Sequence, residues 1–199
     1  MDERVEAAAF AALRDSQFND AAKIAIEGYG PEIMGFLVAT LPTGDDAKEV
    51  FAIFSEELWR SLPTFRAECA VRTWMYVVVR RARARFLRDP KRKAPRASTS
   101  ELREVVDRVR SQTAPWRRTT AKDRVIKLRR ELPDEDQVLL ILRVDRQMTW
   151  KEIALVLFDE EEGAQSAVRQ SARLRKRYEK VTRKLRAMAI DAGLLEPND

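Results

Sequence analysis

The chain has 199 residues, of which 45% are hydrophobic and 35% charged, and a net charge of +6. That is apolar enough to pack one domain or two small ones, and too apolar for a disordered chain. A single cysteine, Cys69, excludes a disulfide framework, and the absence of histidine excludes His-based triads and His-ligated metals. Six glycines and eight prolines are few breaks for this length, which favours helices over a many-stranded sheet.

Residues 3–14 form a short alanine-rich amphipathic segment. "YGPEIMGFLVATL" reads as a helix opened by Gly30-Pro31 and stopped at Pro42. In "TGDDAKEVFAIFSEELWRSL", Thr43 is the expected N-cap with acids in the first turn; Ala47, Val50, Phe51, Phe54, Leu58 and Leu62 follow the helical period, and Pro63 closes it. A fourth helix is expected from about Glu68 to Arg88, with Val71, Trp74, Met75, Val78, Ala82 and Phe86 on its core face.

Composition then changes. "DPKRKAPRASTS" reads as linker, Ser98 and Glu101 as a capping box for a short helix bearing Leu102, Val105, Val106 and Val109, and "SQTAPWRRTT" as its break. Helices resume with "AKDRVIKLRREL", with "PDEDQVLLILRVD" begun by Pro133, and with "MTWKEIALVL" under a second capping box, Thr149 and Glu152. The last helix spans about Ala164 to Ala189, with Leu174, Tyr178, Val181, Leu185 and Met188 as its core stripe and basic residues around the rest. The fold class expected is all-α: two small helical domains, residues 1–89 and 123–199, joined by a linker over 90–122 and with a helix-turn-helix in the second.

Charge is unevenly placed. Residues 80–96 carry nine basic groups against Asp89 alone, and residues 169–186 nine against Glu179 alone, on an otherwise acidic chain. Two such patches suit two contacts with one polyanion. A membrane surface would need a free apolar face as well, and no apolar run approaches the ~20 residues of a membrane span; a cytoplasmic protein without membrane insertion is expected. The acidic groups Asp45–Asp46, Glu56–Glu57 and Asp159–Glu162 suit helix starts and solvated loops better than a cation site. No glycine-rich phosphate loop occurs. The expectation is therefore a non-enzyme without metal or cofactor.

Two constellations carry chemistry. Arg72, Tyr76, Arg80 and Arg83 are spaced four, four and three, a shared helix face that puts cations beside an aromatic ring. "TWKEIALVLF" followed by "QSAVRQSARLRKRYEKVTRKLRAM" follows helix-turn-helix logic, although the connection "FDEEEGAQ" exceeds the usual turn.

"LWRSLPTFRAECAVRTWMYVVVRRARARFLRD" resembles the second conserved region of the extracytoplasmic-function (ECF) group of bacterial RNA polymerase sigma factors, on Leu58-Trp59, Phe65-Arg66, Glu68 and Arg72-Thr73-Trp74-Met75-Tyr76. "LPDEDQVLLILRVDRQMTWKEIALVL" is similar to the opening of the family's fourth region, and "ARLRKRYEKVTRKLRAM" to its recognition helix. The resemblance implies core RNA polymerase, promoter DNA and an anti-sigma factor as partners. It places polymerase binding on Asp46, Glu49, Val50, Glu56, Leu58 and Trp59, and minus-ten contact on Arg72, Tyr76, Arg80, Arg81, Arg83 and Arg85. Minus-thirty-five reading falls on Ser171, Arg173, Arg175, Lys176 and Arg177, with Lys180 nearer the backbone. By the same implication "TAPWRRTT" touches the template strand.

The chain departs from the family pattern at Ala52-Ile53, at the arginines of the minus-ten helix and in the acidic turn Asp159–Gly163. Two other classes fit the residues: a helix-turn-helix regulator that binds duplex DNA without polymerase, and a helical protein that docks on acidic partners.

Overall fold

The computed structural model describes residues 2–89, 100–112, 127–158 and 164–196; all regular structure among them is helical. The chain divides into two compact units, Met1–Pro115 and Trp116–Asp199.

In the first unit, α1 (Glu3–Arg14), α2 (Phe18–Thr40), α3 (Gly44–Ser61), α4 (Val71–Arg88) and α5 (Ser100–Gln112) surround a core centred on α2, which packs against each of the others. The α1–α2 connection turns through Ser16, at φ 59°. There the Ser16 and Gln17 amides donate to the Leu13 and Ala12 carbonyls (3.0 and 2.8 Å), so a left-handed residue closes the helix end.

Pro31 does not open a helix. It lies inside α2, thirteen residues past its start, where proline costs ~3 kcal/mol in an isolated helix. Burial offsets that cost: Ala21, Ala22, Ala25, Ile26, Tyr29, Ile33, Met34, Phe36 and Leu37 of α2 all lie inside the core. Close approach dictates the two glycines before it. A Cβ on Gly28 would fall 2.5 Å from Val5 Cγ1 of α1, and one on Gly30 3.2 Å from Val109 of α5.

Thr43 caps α3 as expected, its Oγ1 accepting from the Asp46 amide at 3.0 Å. The helix ends at Ser61 in a 3-10 turn, Leu62–Thr64, built on Pro63. Helix α4 has no cap of its own, because Ala70 carries no acceptor. Glu6 of α1 supplies it: its two carboxylate oxygens accept from the Val71 and Arg72 amides, each at 2.9 Å.

The α5 helix lies within the stretch expected as linker, yet it packs on α2 and α3 within the first unit. Its Leu102, Val105, Val106 and Val109 are buried, so its apolar face has a partner. Ser98, half of the expected capping box, lies outside the described residues.

In the second unit, residues 127–130 of "AKDRVIKLRREL" are helical. Then come α6 (Asp134–Leu140), led by Pro133 and extended by a wider π turn over Ile141–Asp145, α7 (Trp150–Leu157) and α8 (Ala164–Asp191). The Thr149–Glu152 capping box is complete: Glu152 N–H donates to Thr149 Oγ1 at 3.3 Å and Thr149 N–H to Glu152 Oε2 at 2.7 Å. Leu132, Leu140 and Val181 form a small core, flanked by Tyr178, Leu185 and Met188 of the expected stripe. The acidic turn 159–163 lies outside the described residues.

Candidate nucleic-acid interface

Helix α4 is buried on more than one side, since α1, α2 and α3 all pack on it. Its expected cationic face therefore turns inward. Tyr76 is 0% exposed, Arg83 5% and Arg72 6%. Arg72 forms a fork with Glu32 of α2, its Nε at 3.0 Å and Nη2 at 2.5 Å from Oε1, and Tyr76 Oη donates to the same oxygen at 2.9 Å. The Tyr76 ring also meets Phe36 edge-on, with centroids 5.6 Å apart. Arg83 donates to the Thr40 carbonyl at 2.7 Å, a C-terminal carbonyl of α2. Arg85 pairs with Glu57 of α3. Arg80 and Arg81 are half-buried.

Trp74, expected inward, is only half-buried; its ring packs on Phe65 at 5.6 Å and its indole N–H donates to Ser61 Oγ at 3.2 Å. The solvent-facing part of α4 near its end is Ala84, Leu87 and Arg88. Neither Leu87 nor Arg88 was expected at an interface, and spacing alone did not mark them.

The expected polymerase-binding residues of α3 also divide. Val50 and Leu58 are core and Glu56 is buried. Asp46, Glu49 and Trp59 are half-exposed. Trp59 donates from its indole N–H to Asn19 Oδ1 at 2.6 Å. It lines an open cleft of about 480 Å³ with Phe18, Asn19, Asp20, Arg60 and Pro63. Deeper in the unit, burial and the adjacent Glu6 carboxylate push the Tyr29 phenol well above its usual range, and it donates to the Asp2 carbonyl at 3.0 Å.

In α8 the charge faces outward. Arg169, Arg173, Arg175, Lys176, Lys180, Arg183, Lys184 and Arg186 are exposed. Two members of the expected reading set are held instead. Arg177 donates from Nε to Asp136 and from Nη1 to Glu135, both at 2.6 Å, which ties α8 to the acidic first turn of α6. Ser171 Oγ points at the Trp150 carbonyl of α7, 3.4 Å away.

Trp150 locks the three elements together: its ring meets Tyr178 of α8 edge-on at 5.5 Å, and the Arg143 guanidinium lies 4.7 Å from its centroid. The result is a short capped helix and a long helix packed on each other, the long one presenting cations to solvent. Such a pair can brace one helix in a major groove.

Residues 25–93 match the family Sigma-70 region 2. No curated protein matches the chain. The match spans α3, α4 and most of α2, and it marks a sigma-70-type region within the first unit. No helix among the described residues is long and apolar enough to cross a membrane.

Proposed function

We propose that the chain is a sigma factor of the ECF type, which directs core RNA polymerase to a restricted set of promoters and starts transcription there. An anti-sigma partner would hold it inactive. The carrying observation is the region 2 match over residues 25–93, followed in the second unit by a capped helix packed on a helix with a basic outer face. The first unit would engage the polymerase through the half-exposed Asp46, Glu49 and Trp59, and DNA through Arg80, Arg81 and the end of α4. The second would read duplex DNA with Arg173, Arg175 and Lys176. The buried Arg72, Tyr76 and Arg83 would hold α4 in place rather than touch nucleic acid.

Reconstitution with core polymerase tests this. The expected result is co-purification with core enzyme and promoter-dependent transcription with no other sigma factor present. Failure to bind core enzyme, with no open complex formed, overturns the proposal. Tight operator binding without polymerase would instead favour the helix-turn-helix regulator.

A further inference from the structure

The cations of α8 are not spread evenly around the helix. At ~100° per residue, Arg169, Arg173, Lys176, Lys180, Arg183 and Lys184 fall within an arc of about 100°, which runs from opposite Leu174 and Val181 at Arg183 round the flank of the helix to Lys184. All six are exposed, whereas Leu174 and Val181 are 3% exposed. Glu179, the acid of this stretch, projects outside the arc, about 40° beyond its Arg183 edge. From Arg169 to Lys184 the row runs about 22 Å at ~1.5 Å per residue.

That length exceeds what base reading uses. A recognition helix touches base edges with its N-terminal turns, and the major groove is ~12 Å wide. The far end of the row therefore reaches past the groove to its wall, where the sugar–phosphate backbone runs. The helix dipole does not account for cations there. Its effect is confined to the last turn, and Lys184 lies seven residues before the end of α8 at Asp191. Aligned like charges repel one another in the absence of a polyanion.

We infer that Arg183 and Lys184 extend the DNA-binding surface of α8 as a phosphate clamp, gripping the duplex backbone beyond the bases that the N-terminal half reads. This rests on the proposal that α8 binds duplex DNA. The clamp is indifferent to sequence, so it adds affinity and residence without changing which promoter is chosen. Arg175 and Arg186, off the arc, have no part in it.

The test is binding of the full chain to a random-sequence DNA duplex over a range of salt. Each phosphate contact contributes ~0.9 to the slope of log affinity against log salt. In R183A/K184A the slope should fall by about 1.8, while K127A/R186A, which removes equal charge from exposed positions off the arc, keeps the parental slope. Circular dichroism confirms that both variants remain helical. An unchanged slope in R183A/K184A overturns the clamp, as does an equal fall in both variants, which would mean diffuse attraction. A normal DNA slope with lost co-purification of core polymerase also overturns it, since the row would then be a protein surface. The sigma-factor proposal fails separately: without polymerase-dependent transcription it is lost even where the slope falls as expected.

Discussion

Residues 80–96 and 169–186 each carry nine basic groups against one acid, yet the arginines of α4 (Val71–Arg88) and the described cations of α8 are used in opposite ways. Around α4 the arginines are drawn into the fold: Arg72 reaches Glu32, Arg83 the Thr40 carbonyl and Arg85 Glu57. In α8 only Arg177 forms such ion pairs among the described residues, while the exposed row faces solvent. Helix packing decides between the two. Four helices meet at α4 (itself included), so few of its faces remain for water, whereas α8 buries a single stripe. Net charge along a sequence therefore reports a supply of cations, and the packing around each helix determines how many are displayed.

The sharpest way to break this comparison is Glu32→Ala. It leaves the buried Arg72 guanidinium and the Tyr76 hydroxyl without their shared acceptor, and unfolding free energy should fall by ~3–5 kcal/mol. Chemical denaturation measures this, and a loss below ~1 kcal/mol would show that the inward face of α4 is not structural. Arg177→Ala removes the cation of α8 that ties it to α6. With that side chain 40% exposed, about 1 kcal/mol should be lost by the same measurement. Glu57→Ala frees Arg85, whose side chain is 37% exposed. The cost should stay under ~1 kcal/mol, and DNA affinity should rise slightly because a cation is released.

The smallest stability effect belongs to Lys176→Ala combined with Lys180→Ala, within ~0.5 kcal/mol of the parent. That pair should nonetheless lower the salt slope of DNA binding by about 1.8. A stability loss comparable to that of Glu32→Ala would erase the distinction between the helices.

Much of the architecture is legible in local sequence because its causes are local. Thr43, Pro63, the Thr149–Glu152 box and the stripe from Leu174 to Met188 act within a few residues of themselves, and the structure places them as their spacing predicts. The inward turn of Arg72, Tyr76 and Arg83 is not legible. Their four-and-three spacing does put them on one face, but the acceptors that make that face interior lie more than 39 residues away, in α2. Pro31 misleads for the same reason: it resembles a helix opening until packing on four neighbouring helices carries α2 through it. The α5 helix shows its apolar side in sequence but not the glycine at position 30 that receives it.

The Glu6 cap has a practical consequence. The matched family segment begins at residue 25, but the carboxylate that closes the start of α4 comes from residue 6. Homology and folding thus draw different borders around the same unit. A fragment trimmed to the recognisable segment would expose two amides at the mouth of α4 and the Tyr29 ring that α1 covers. Such a fragment would understate how well the parent protein folds, however faithfully it kept every residue the family shares.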